Sequence, residues 1–250
     1  MNTNAPTFQR HDPLKFFRTL NSRVNDYFKD NNIKKTGDWR LHLKTFVMFS
    51  LFFIPYFLIL GLNMPFWLHL LLSVIMGIGM AGVGMNVMHD GNHGSYSSKL
   101  WINKIMGGSI YILAGNVYNW QVQHNVLHHT YTNIPGHDED LEAGRIIRFT
   151  KHAEWSSFHR FQQYYALFAY GLLTINWCLT TDFKQMGEYL KRKLAYGDFP
   201  KTRRLWSGLV ISKIIYFSFW LVIPMFFVVW WKVLIGFFIM HYTAGLILSL

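Results

Sequence analysis

Apolar residues run along this sequence in long blocks rather than at amphipathic spacing. Leu43 to Leu62, Phe66 to Met88, Leu205 to Trp231 and Val233 to Leu250 are each about the ~20 residues that a helix needs to cross a hydrocarbon core. Four membrane spans are therefore expected, near residues 43–62, 66–88, 205–231 and 233–250. Two other apolar blocks do not qualify. Ile105 to Tyr118, about 14 residues, is too short to cross. Tyr164 to Thr181 is long enough, but crossing there would carry Lys191, Arg192, Lys193, Arg203 and Arg204 to the wrong side. Both read as interfacial or buried helices. Ahead of the first span, "FFRTLNSRVNDYFKD" sets Phe16, Leu20, Val24 and Tyr27 at helical spacing among charged residues. The arm of residues 1–42 thus reads as amphipathic, lying on the membrane or on the cytoplasmic body. Within the second span, "GIGMAGVGM" gathers Gly77, Gly79, Ala81, Gly82 and Gly84, small residues that let membrane helices approach closely. "YGDFPKTRR" around Pro200 reads as a loop.

Composition agrees with a membrane protein, since 51% of residues are hydrophobic and 18% aromatic. The net charge of +11 would in isolation suggest nucleic acid, but its distribution marks topology instead. Basic residues crowd the segment before the first span and the long segment between the second and third. The two short connectors, Asn63-Met64-Pro65 and the turn at Lys232, hold one basic residue between them. The positive-inside rule then makes the arm and residues 89–204 cytoplasmic. Anionic headgroups account for the charge, and no nucleic-acid partner is expected. Cys178 is the single cysteine, which excludes a disulfide framework and a thiolate metal site. The first forty residues lack the apolar core of a cleavable signal peptide.

Chemistry concentrates in "HDGNH", His89 to His93, and "WQVQHNVLHHTYTN", Trp120 to Asn133. His89 and His93 are four apart, so on a helix they share a face at chelating distance. His124 and His128 repeat that spacing, and His129 lies about 100° further round. One ion could hardly take all three, so five imidazoles from two helices suit two metals. Imidazole alone leaves the metal open among Fe, Zn, Cu and Ni. A structural zinc site would be richer in thiolate, and oxygen activation on iron is the favoured use. An intramembrane zinc protease would carry H-E-x-x-H, whereas Asp90 stands in the Glu position here and "HNVLHH" has no counterpart. A metal transporter would place its ligands at mid-membrane, where only His241 lies. His11, His42, His69, His152 and His159 read as satisfied or interfacial polar residues.

At these residues the sequence resembles the membrane fatty acid desaturases, and more narrowly the bacterial acyl-CoA or acyl-lipid enzymes of front-end, linoleoyl type. "HDGNH" is similar to the family's first box, H-x-x-x-H, and "HNVLHH" to its second, H-x(2,3)-H-H. "NHGSYS" and "DEDLEAGRIIR" resemble the same subgroup. The resemblance implies an all-α integral membrane fold of four spans with a cytoplasmic helical cap carrying the histidine boxes, and residues 43–250 as the desaturase domain. It also implies an O2-dependent oxidoreductase with a non-heme di-iron centre that removes two hydrogens from an acyl chain of an acyl-CoA or membrane lipid. His89, His93, His124, His128 and His129 would then be iron ligands. Electrons would come from a separate ferredoxin or cytochrome b5 type carrier, because no heme-binding H-P-G-G is present. Asn119, Trp120 and Gln123 could line the substrate path. Asp138 and Asp140 of "HDED" could orient ligand imidazoles, or form a solvated loop facing Arg145 and Arg148. Related readings are a His-box hydroxylase or ketolase acting on lipids, sterols or carotenoids, and a non-enzymatic metal-binding membrane protein or transporter. The family's third box, (H/Q)-x-x-H-H, and its fourth-span histidine are absent from these 250 residues. The last span stops at Leu250 without a polar flank. A continuation beyond Leu250 carrying both is expected.

Overall fold

The structure, a computed structural model, describes residues 6–8, 15–141, 145–198 and 201–250. The loop expected at Pro200, His11 and the first residues of the arm lie outside these. All regular structure among the described residues is helical. The elements are α1 (Phe16–Asp30), α2 (Trp39–Gly61), α3 (Phe66–Asn92), α4 (Leu100–Gly108), α5 (residues 117–131), α6 (Gln162–Gly171), α7 (residues 173–191), α8 (Thr202–Phe226) and α9 (Trp230–Ser249). Four of them, α2, α3, α8 and α9, are long and apolar enough to cross a membrane. The four expected spans are present, with shifted ends.

Each shift has a local cause. α2 starts at Trp39 because the Asp38 carboxylate accepts the Arg40 N–H at 2.9 Å and caps the helix. α3 continues through His89 to Asn92, four residues past the apolar block. α8 ends at Phe226 rather than Trp231. Pro224 brings no N–H, so the helix tightens into a 3-10 turn over Pro224–Phe226 and the chain reverses at residues 227–229. Lys232 therefore belongs to the first turn of α9 and not to a connector. The same proline leaves the Phe219 carbonyl without a helical partner, since the Ile223 N–H is already given to Ser218. The Tyr56 hydroxyl of α2 takes that orphan, donating at 2.7 Å and tying the α2–α3 hairpin to the α8–α9 hairpin.

α3 sits between α2 and α9 at backbone contact. A Cβ on Gly79 would lie 2.6 Å from the Phe52 nitrogen, and one on Gly77 2.6 Å from the Met240 carbonyl oxygen. The small-residue stripe is thus a packing surface on two sides. Phe52, Tyr56, Met80, Trp220, Met240 and Ala244 fill the centre of the four-helix group. α1 buries none of its residues, and Leu20, Val24 and Tyr27 of its apolar stripe are exposed, as suits a helix lying on a membrane surface.

The long segment between the hairpins is anchored from below. Lys213, inside α8, is 4% exposed and lies 2.6 Å from Asp182 Oδ2 of α7, which is fully buried. The Lys213 ammonium also donates to the Ala114 carbonyl. Asn119 Nδ2 of α5 donates to the Asp182 carbonyl at 2.7 Å and to its Oδ1 at 3.0 Å. Tyr118, Val122 and Leu127 of α5 pack with Met186 and Tyr189 of α7 and Leu209 of α8 beside this junction. Hydropathy alone does not single out Lys213, although a lysine within an apolar span is itself a signal that a partner must exist. His241 is fully buried in α9 with its Nε2 2.7 Å from the Tyr216 hydroxyl and its Nδ1 3.0 Å from Thr174 Oγ1. Both ring nitrogens are thus engaged.

Lys213→Met strands the Asp182 carboxylate without its counter-charge and is expected to cost about 3–5 kcal/mol. Unfolding in detergent measures it, and Lys213→Met/Asp182→Leu is expected to recover most of the loss.

Candidate metal centre

The two histidine segments meet because α3, α4 and α5 converge on one amide. Asn92, the last residue of α3, is buried. Its Nδ2 donates to the Met88 and Gly107 carbonyls, both at 3.1 Å, and its Oδ1 accepts from Gln121 Nε2 of α5 at 3.1 Å. Gly91 allows the approach, since a Cβ there would lie 2.3 Å from the Gly107 nitrogen. After the box, Tyr96 returns its hydroxyl to α2, 3.2 Å from His42 Nδ1 and 2.9 Å from Thr45 Oγ1.

At this junction the rings of His89 and His93 lie 4.5 Å apart between centroids, and each is 5.1 Å from His124. His93 Nε2 is 3.1 Å from His124 Nε2, and His129 Nε2 is 3.3 Å from the same atom. One donor each from His89, His93 and His124 falls within 4.8 Å of the others. The α-helical expectation paired His124 with His128. In the structure residues Gln121–His128 adopt a π-helix, whose i→i+5 register brings His129 beside His124. His128 is left on the flank, its Nδ1 3.1 Å from Asp138 Oδ1 and 3.0 Å from Asp140 Oδ2.

The acidic loop is itself held. Glu139 Oε2 accepts from Tyr189 at 2.5 Å and from Gln185 at 2.9 Å, pinning the loop to α7. Asp138 is 1% exposed and accepts the Asn133 N–H at 2.8 Å and the Asp140 N–H at 3.1 Å. Among the described residues it forms no salt bridge with Arg145 or Arg148. Gln123 donates to Asp140 Oδ1. Trp120, 5% exposed, stacks on His124 at 4.5 Å and meets His89 and His93 edge-on. Asn119 is fully buried on Asp182, away from the rings' nitrogens.

Burial, reinforced by the surrounding histidines, pushes His124 down to about 3. Burial and its neighbours His89 and His129 also lower His93, against a smaller pull from Asp90. Burial would raise Asp138, but hydrogen bonds from the Asn133 N–H, His128 and the Asp140 N–H hold it below the ordinary carboxylate range. Around neutral pH His93 and His124 are therefore neutral imidazoles, and Asp138 nearby is an anionic carboxylate. Nitrogens at 3.1–3.3 Å from one another with no acid among them form a donor set that a cation satisfies better than water does. The residues fit a transition metal bound through imidazole. Sequence reasoning missed Asn92, Gln121 and Glu139. Asn92 could have been found as a polar residue inside the first box, next to a glycine.

A fatty acid desaturase family model matches residues 65–250. The chain is similar to the sn-1 linoleoyl-lipid 6-desaturase of Arthrospira platensis, 34% identical over 71% of this chain and 48% of that protein. The enzyme of the same name from Synechocystis sp. is 30% identical over 79% of this chain and 57% of its own length. An acyl-lipid (8-3)-desaturase of Physcomitrium patens is 30% identical over 67% and 35% respectively. The chain spans about half the length of the first two relatives. No solved structure matches it.

Purified chain loaded with ferrous iron is expected to lose most of its metal in His93→Ala and in His124→Ala, whereas the exposed His152→Ala retains it. Equal metal content in the three variants would contradict the site.

Proposed function

Because this chain belongs to the fatty acid desaturase family, we propose that it acts as an O2-dependent acyl desaturase whose two irons are held by His89, His93, His124, His128 and His129. The observation that carries the reading is the approach of the His93 and His129 Nε2 atoms to the Nε2 of a neutral His124. When bound, the iron pair supplies the oxidising power that, with O2, two electrons and two protons, takes two hydrogens from a CH2–CH2 pair and leaves two waters. The electrons come from a separate ferredoxin or cytochrome b5 type donor.

The chain's own residues have distinct tasks. Asp138 and Asp140 hold His128 through its Nδ1, which fixes Nε2 as the donor and raises its basicity. Trp120 sets the plane of His124 and keeps water from that face of the cluster. Gln123 steadies Asp140, and Asn119 positions the helix through Asp182. The four apolar helices make this an integral membrane protein, so an acyl chain reaches the site laterally from the bilayer. The Arthrospira, Synechocystis and Physcomitrium relatives are linoleoyl-lipid and acyl-lipid desaturases, which favours a lipid-linked substrate over acyl-CoA. Residues 43–250 form the catalytic domain, and residues 1–42 a surface arm. The basic end, with the arm and the histidines, faces the cytoplasm.

Expression under aerobic, iron-replete conditions in a host of defined lipid composition is expected to yield a new unsaturated acyl species in the lipid fraction. No such species would overturn the assignment. Asp138→Ala is expected to weaken iron binding about 10- to 100-fold, measured by chelator competition, and to lower the product in parallel.

A further inference from the structure

The end of the helix bundle remote from the histidines carries a polar pair that the proposed reaction does not use. His69 lies in the first turn of α3, twenty residues before His89, or about 30 Å along the helix. Its side chain is 6% exposed, and among the described residues its ring nitrogens have no hydrogen-bond partner. It borders a narrow crevice of about 40 Å³ that also exposes Lys232, in the first turn of α9. The walls are apolar, formed by Ile59 and Leu60 of α2, Pro224 of α8 and Phe237 of α9. The gap lies beside the break that Pro224 makes in α8.

Among the described residues Lys232 has no protein counter-ion. Residues 43–89 and 205–250, which make up nearly all of the four long apolar helices, contain no Asp or Glu. Among the described residues Lys232 forms no ion pair, and its ammonium stands only against the rings of Trp231 at 5.7 Å and Phe66 at 6.0 Å. Trp67 and Trp230 are exposed at the same level, and such aromatics mark the headgroup zone of a bilayer. A cation without a counter-charge, a buried imidazole with unused nitrogens and an apolar slot opening beneath them are complementary to one kind of molecule.

We propose that the mouth of this crevice is a binding site for an anionic glycerophospholipid, with the phosphate accepting hydrogen bonds from Lys232 and His69 and the acyl chains lying along the apolar outer faces of α2 and α8. The lipid supplies the charge that no carboxylate at this end of the bundle provides. The site is separate from the histidine cluster and independent of the desaturase assignment.

Native mass spectrometry of the purified chain tests the proposal, with phosphatidylglycerol, phosphatidylcholine of the same acyl chains, and palmitate offered in parallel. Phosphatidylglycerol is expected to be retained about five-fold better than phosphatidylcholine, the factor expected of one lysine at a headgroup. Lys232→Gln is expected to bring the ratio to near one and His69→Leu to reduce it. Lys44→Gln, at the opposite end, is expected to leave it unchanged. Equal retention of the two phospholipids by the unaltered chain, an equal loss in Lys44→Gln, or tighter retention of palmitate than of either phospholipid would overturn it. A lipid-free unfolding midpoint in Lys232→Gln equal to that of the parent shows that the altered ratio is not a folding defect.

Discussion

An ammonium group inside an apolar span must find a counter-charge, and for Lys213 the requirement is met by Asp182 at 2.6 Å. Neither residue could be kept charged there alone, because a single buried charge costs several kcal/mol. The pairing dictates how the long segment between the hairpins is laid down. α7 must descend far enough to deliver Asp182. The turn after α4 must present the Ala114 carbonyl, which it does with Ala114 in the left-handed region at φ 67°. α5 is then fixed, since Asn119 spends its amide on Asp182. The next residue is Trp120, on which His124 stacks. The histidine cluster is in this sense suspended from an ion pair that none of its members touches.

A second device recurs wherever a helix has to aim a polar group. π-helical turns occupy Gly84–Met88, Gln121–His128, Trp177–Thr181 and Ser218–Val222. The first leads into His89, the second carries the second histidine segment, and the third leads into Asp182. The fourth leads to the Pro224 break, where Tyr56 takes the freed carbonyl. Each wide turn inserts one residue into the i→i+4 ladder and rotates the residues beyond it, a device frequent at functional sites. Without the second, His129 would lie off the face of His124, and the approach of three ring nitrogens would not form.

The two ends of the bundle solve different problems. At the histidine end, polar residues are abundant and are tied to one another through Asn92, Tyr96 and Glu139. That end can therefore hold several imidazoles close together. At the far end, the hairpins contribute aromatic rings, one lysine and no carboxylate, so the electrostatic partner has to come from outside the chain.

The sequence by itself determined the four spans, because a block of about twenty apolar residues has one stable solution in a bilayer. It also singled out the candidate ligands, since His89, His93, His124, His128 and His129 sit at chelating intervals beside apolar stretches. Span ends were legible only to within a few residues, because they depend on Asp38, Asn92 and Pro224, single groups whose effect is decided by what they bond to. The contacts among the histidines were legible only in part: the His89–His93 pair follows from regular helical spacing. Periodicity assumes a regular helix, and the π register at Gln121–His128 brought the His129 nitrogen beside His124, closer than the stacked ring of His128. Tertiary structure alone brought Asp138 and Asp140 to His128, and Asp182 to Lys213. Those pairs are separated in sequence, and only the closing of the chain around buried charge could put them together.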